Sequence, residues 1–393
     1  LIGMLVALVV IWALFNVFSG GTFLTPRNLW NLSVQTAVVA IMATGMVLVI
    51  VTRNIDLSVG SVLGMIGMAV AILQAEILPD WLGFGHWAIW IIAVVVALLM
   101  GALVGALHGA IVAYVGVPSF IVTLGGLLVW GGVRWALSSG RTIAPMDATF
   151  QLFGGGARGS LGAQLSWVVG VVGCAGVVGM LWNGRRQRRR FEFPLRPMWA
   201  EIFLGVVGSG AILGAIAVLN RYLKPPALAE GRTDVPFGLA YPVLITVAVA
   251  LVMTFVANRT RFGRYVYAIG GNPEAAELGG INTKWMIVRT FMVMGILASI
   301  AAIVQVARLN AATSGLGTLS ELYVIAAAVI GGTSFAGGIG TIPGAVLGAL
   351  VMQSLQSGMV LMGVDAPIQD IVVGVVLVIA VAIDTAYRKR VAR

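Results

Sequence analysis

Fourteen carboxylates, two histidines and one cysteine supply most of the chain's capacity for acid–base, nucleophilic or metal chemistry, and their spacing supports none of it. The carboxylates never cluster as a general acid and base would. His86 and His108 stand far apart without a metal-ligand pattern. His86 reads as an interfacial residue beside Trp81 and Trp87, and His108 as a packed or cavity-facing helix residue. Cys174 is alone, so no disulfide forms within the chain. No G-x-x-x-x-G-K-[ST] segment occurs, and the glycine-rich run Gly331–Gly338 lacks the lysine that reaches a nucleotide phosphate. The expectation is a non-enzyme that binds no metal and no cofactor of its own.

Two other polar features carry more information. The first is the island Phe262–Asn282 (FGRYVYAIGGNPEAAELGGIN), which lies between two long apolar runs. Asn272 is a good N-cap, Pro273 suits the first helical position, and Glu274 complements the positive helix end. Ala275, Ala276 and Leu278 favour helix, and Gly279-Gly280 can stop it in a left-handed turn. Such a helix falls far below the roughly 12–15 residues at which isolated helices become marginally stable. It must be held from outside, which makes it a docking element. The second feature is Asp56, in the segment Thr52–Ser58 between apolar runs. Deep in a bilayer a carboxylate must face protein or a watery cavity; at the interface it would start a helix beside Arg53.

The elements that position these residues are membrane helices. The chain is 60% hydrophobic and 10% charged, with mean hydropathy +1.02. A soluble protein of this composition would expose far too much apolar area. Apolar stretches of about 18 or more residues recur along the chain, enough to cross about 30 Å of hydrocarbon. The 52 glycines suit closely approaching membrane helices. We expect an all-α polytopic membrane protein with about 10–12 transmembrane helices, some interrupted, forming one transmembrane domain over residues 1–393. The chain opens inside an apolar run with neither Met nor a basic flank, so residues are expected to precede it.

Lysine and arginine set the orientation. Clusters lie at Arg185–Arg196, at Arg259–Lys284 around the island, and at Arg388–Arg393. Even numbers of crossings separate them, so all three fit the cytoplasmic side, with both termini there. The first cluster has no interleaved aromatic platform or binding motif, so no nucleic-acid partner is expected. Anionic lipid is a secondary reading for that cluster.

An internal echo joins Val59–Gly64 to Ile339–Gly344, about 280 residues later, each preceded by a polar or glycine-rich interruption. Paired interrupted helices in two halves are how transporters build a central site, so a two-half repeat is expected. Asn54, Asp56, Ser58, Thr333, Ser334 and Gln353 are the candidate translocation-path residues, with Gln35, Thr44, Gln305, Asn310 and Gln356 beside them. Neutral amides and hydroxyls suit a neutral polar solute, and equally suit helix–helix hydrogen bonds. Glu321 reads either as a contact for a periplasmic partner or as a solvated helix-start charge.

Four ordered blocks resemble one family: Ile55–Ser61 (IDLSVGS), Val117–Gly125 (VPSFIVTLG), Phe262–Asn282, and Ile330–Ala349 (IGGTSFAGGIGTIPGAVLGA). They resemble permeases of ATP-binding-cassette importers for monosaccharides, over about Asn28 to Lys389. The added apolar pair of about Gln164–Leu219, joined by an Arg-rich loop, is similar to the D-xylose members. The resemblance implies a homodimeric pathway, a periplasmic sugar-binding protein, and a cytoplasmic ATPase that carries ATP and magnesium. It further implies that Asn272, Pro273, Glu274, Ala275, Ala276 and Gly279 form a coupling helix against that ATPase, within a loop of about residues 258–284. The common importer signature has a longer glycine spacing and a distal Leu-Pro, both missing here, so the divergent sugar-permease form fits better. The implied location is the bacterial inner membrane. Ribose or another sugar, and a stand-alone carrier or channel, are the alternatives.

Overall fold

A computed structural model describes residues 2–156, 158–228, 231–232 and 234–391. The helices are α1 (Ile2–Phe18), α2 (Pro26–Val51), α3 (Val59–Ile72), α4 (Leu78–Leu82), α5 (Ala88–Ala110), α6 (Ser119–Ser138), α7 (Gly162–Arg190), α8 (Met198–Leu219), α9 (Tyr241–Arg259), α10 (Arg261–Gly271), α11 (Pro273–Leu278), α12 (Thr283–Leu309), α13 (Ser320–Ile330), α14 (Ile342–Leu361) and α15 (Ala366–Val391). Among the described residues, extended structure is limited to isolated bridges. Among the described residues nine helical segments are long and apolar enough to cross a membrane, and three shorter apolar helices accompany them. The chain is therefore an all-α polytopic membrane protein.

α2 runs through the centre, with 94% of its most apolar window buried. Its run of Val, Ile, Ala and Met is apolar all round, as a helix enclosed by other helices must be. α9, α12, α13 and α14 pack around it. Glycine sets the closest approaches. Gly101, Gly105 and Gly109 of α5 recur every four residues and face Gly295, Phe291 and Val288 of α12. Any side chain on these glycines would run into the α12 backbone. Ser299 ties the same seam by donating to the Ala97 carbonyl at 2.7 Å. In a membrane, where lipid is as apolar as leucine, such backbone contact is the main source of helix association. Gly105→Leu is expected to destabilise the protein by about 1–3 kcal/mol, read as a lower unfolding temperature in detergent.

α7 and α8 form a peripheral pair, each with only 11% of its apolar window buried. The pair anchors through a small second core of Trp30, Val34, Leu219, Phe237, Leu239 and Ala240. The Arg-rich stretch expected as a loop is partly helix, because α7 continues through Arg190. Arginine is a good helix former, and cations are favoured at a helix C-terminus.

Candidate functional site

α11 has the terminal chemistry its sequence requires. The Asn272 side chain accepts from the Ala275 N–H at 3.0 Å, with Pro273 at the first helical position. At the other end Gly280, at φ +81°, takes the left-handed conformation. Its N–H donates to Glu277 O at 2.9 Å, and the Ile281 N–H donates to Ala276 O at 3.1 Å. That pair of bonds is the Schellman ending, which satisfies the last carbonyls of a very short helix. Ala276 faces inward, while Asn272, Glu274, Ala275 and Gly279 are exposed and Pro273 is half-buried. Leu278 is 90% exposed. It is the last residue of this six-residue helix. Leu278 could be read from sequence only as a helix former.

α10 connects this tip to the core. It is amphipathic, with Val266, Ile269 and Gly270 buried and Arg261 and Arg264 exposed. Thr260 caps it by accepting from the Gly263 N–H at 3.2 Å. The Tyr267 hydroxyl donates to Gly340 O at 2.7 Å, and burial raises its pKa, keeping it a donor. At the C-terminal end of α10, Arg53 donates from Nε to Gly270 O at 2.9 Å and from Nη2 to Gly271 O at 2.8 Å. Arg53 itself adopts φ +63°. Its guanidinium is thus engaged by α10 rather than by Asp56, the neighbour beside which the interfacial reading placed it. Its partners are backbone carbonyls more than two hundred residues away, which leave no trace in the side-chain pattern.

The two helix breaks meet at the same place. The Gly338 N–H donates to Val51 O at 3.0 Å, and Gly337 packs against Arg53 and Gly270. Neither glycine could carry a side chain easily, since both have positive φ and close neighbours. Break one, Thr52–Ser58, is also pinned to the start of α6. Ser119 Oγ accepts from the Ile55 N–H at 3.2 Å, and Thr123 Oγ1 donates to Ile55 O at 3.2 Å. Four separated sequence blocks thus converge on one junction. The echo is displaced by three residues: α3 starts at Val59, whereas α14 starts at Ile342, after the Thr341 cap.

Asp56 lies within the protein, 4% exposed. Its Oδ1 accepts from the Ser58 N–H at 2.9 Å and from Ser58 Oγ at 2.6 Å. Ser58 Oγ lies 3.3 Å from His108 Nδ1, and Trp130 Nε1 donates to His108 Nε2 at 2.9 Å. An indole N–H can only donate, so Nε2 is the acceptor nitrogen and Nδ1 carries the hydrogen that points to Ser58. The serine hydrogen then goes to Asp56. Serine stands between acid and imidazole, its proton committed to the carboxylate, so no base activates its oxygen as in a nucleophilic triad. His108 and Trp130 join this network at a distance in sequence, and nothing in their neighbouring residues marks them.

The other path candidates are also buried: Asn54 is 9% exposed, Ser58 0%, Thr333 1%, Ser334 0% and Gln353 5%. The Asn54 side chain donates to Thr52, and Ser334 Oγ accepts from the Ala336 N–H within the second break. Gln353 donates to Gln356 Oε1 at 2.6 Å, with Gln35 Oε1 at 3.4 Å. Thr333 differs, since its hydroxyl is buried without a hydrogen-bond partner. The cavity beside Asp56 and His108 is about 10 Å³, room for no more than a water. Glu321 is 6% exposed, its carboxylate against Gly60, and so is not a solvated helix-start charge. Among the described residues no group of three or more His, Cys, Asp or Glu could hold a metal.

Comparison with known proteins places these features among permeases. The family described as "Branched-chain amino acid transport system / permease component" matches residues 28–381. The chain is 38% identical to the xylose transport system permease protein XylH of Escherichia coli K12, covering 98% of this chain and 92% of that one. Identity to XylH of Haemophilus influenzae is also 38%, over 98% and 96%. Identity to the ribose import permease protein RbsC of Escherichia coli K12 is 34%, over 97% and 92%. No solved structure matches the chain.

Proposed function

Because this chain belongs to the branched-chain amino acid transport system/permease component family, we propose that it forms the membrane pathway of a binding-protein-dependent ATP-binding-cassette importer for a monosaccharide, D-xylose first. The observation that carries the mechanism is the junction at which α10, α11 and both helix breaks are tied together. The higher identity to the xylose relatives, 38% against 34% for the ribose relative, supports the choice of sugar.

In this reading α11 is the coupling helix. Arginine and lysine placement puts it, with both termini, on the cytoplasmic side of a bacterial inner membrane. Asn272 and Pro273 fix its start, Ala276 seats it on the permease, and Leu278 and Glu274 face the ATPase. Two copies of the permease face each other, and a periplasmic sugar-binding protein delivers substrate to the far end. ATP, with magnesium, is bound and hydrolysed on the separate ATPase, whose closure brings the two coupling helices together. Each moves with α10, and α10 carries the Arg53 and Gly338 attachments of the breaks with it. Asn54, Asp56, Ser58, Thr333, Ser334 and Gln353 then line or border the opened path. The unpartnered Thr333 hydroxyl gains a sugar partner. This chain performs no covalent chemistry; it converts differential binding between states into movement.

Reconstitution with the ATPase and the sugar-binding protein in liposomes tests this. Xylose is expected to stimulate ATP hydrolysis and accumulate inside. Stimulation by ribose alone would move the substrate to the ribose branch, and uptake without any ATPase would refute the importer reading.

A further inference from the structure

The peripheral helix pair holds a feature that sugar transport does not use. A cleft of about 860 Å³ runs between α7 and α8. Leu181, Trp182, Met198, Ile202 and Val206 make its walls apolar, and Arg185, Arg186 and Arg189 crowd one end. Arg185 donates to Glu201 at 2.7 Å, an ion pair that clasps the two helices and engages the one carboxylate lining the cleft. Arg186 and Arg189 are left as its net positive charge. They lie three residues apart, on one face of the helix.

We propose that this cleft binds one anionic phospholipid, its acyl chains along the apolar walls and its phosphate held by Arg186 and Arg189. Charge complementarity selects the headgroup, since a neutral lipid would leave both arginines without a counter-charge. The setting selects a lipid over a soluble anion, because α7 and α8 are both long and apolar enough to cross a membrane and each has only 11% of its apolar window buried. Trp182 and Trp199, 73% and 72% exposed, stand at the arginine end, where indole rings prefer the headgroup level. Bound lipid would also brace a helix pair whose protein contacts are few beyond its small second core.

Native mass spectrometry of the purified chain, with phosphatidylglycerol or phosphatidylcholine added, tests the site. One phosphatidylglycerol is expected to be retained in preference to phosphatidylcholine. Retention should fall about fivefold for Arg186→Gln or Arg189→Gln alone and about 25-fold for the pair. Arg190→Gln, whose guanidinium lies over the Phe191 ring instead, should leave it unchanged. Equal retention of the two lipids would overturn the proposal. So would no effect of either single variant, or displacement by millimolar glycerol phosphate. A disulfide formed between two copies through Ile202→Cys would assign the cleft to a second chain and likewise overturn it.

Discussion

Leu278→Asp is expected to leave the permease folded and inserted while transport of sugar falls by about 30-fold or more. The side chain is 90% exposed, so folding gains little from it and loses little without it. In a partner's pocket the same leucine would be a central apolar anchor, and truncating such anchors costs about 2–4 kcal/mol. Aspartate adds the cost of desolvating a charge. Glu274→Arg and deletion of Asn272–Gly279 test the same contact more bluntly, the first through charge and the second through loss of the whole helix. The check is uptake into liposomes beside the ATPase's own turnover. Turnover that persists while uptake stops indicates uncoupling. Uptake that survives all three changes would remove α11 from the coupling role.

Asp56→Ala is expected to destabilise the protein by about 2–4 kcal/mol and to abolish transport, because it strands two buried donors of Ser58, each worth about 1–3 kcal/mol when unsatisfied. Asp56→Asn keeps an acceptor oxygen at the same position and should cost much less stability. The comparison separates the hydrogen-bond role of this residue from any requirement for its charge. Thermal unfolding in detergent reads the first, and uptake by the asparagine variant reads the second. Equal unfolding temperatures for the alanine variant and the parent would mean that the Asp56–Ser58–His108–Trp130 chain does not hold break one in place.

What could be read in the sequence was what is encoded locally. Asn272, Pro273 and Gly280 announce α11 because each cap bonds to residues within a few positions, and the structure reproduces those bonds. The apolar runs announce the spans for the same reason. The junction is another matter. Arg53 meets two carbonyl oxygens of α10, and His108 meets residues 50 positions before it and 22 after it. Backbone partners have no residue type, and a lone histidine in an apolar helix reads the same whether it is packed or networked. Exposure of Leu278 was hidden too, since leucine suits a helix interior and a surface anchor equally well. The six path candidates could be named by their polarity, yet all are buried, so burial does not single out among them the groups that would meet a sugar on the importer reading.

The Arg53 attachment has a mechanical consequence. Arg53 grips α10 one residue before the Asn272 cap, and Gly338 hangs from Val51 two residues before Arg53. On the importer reading proposed above, α11 and the two breaks would therefore be geared nearly one to one, with no lever arm between them to magnify the stroke. Both breaks would then travel together, and no further than α11 is carried. If α11 is the coupling helix proposed above, the stroke of the ATPase would then bound the width of the passage, and the largest solute admitted would be fixed outside the membrane as much as by the residues that line it.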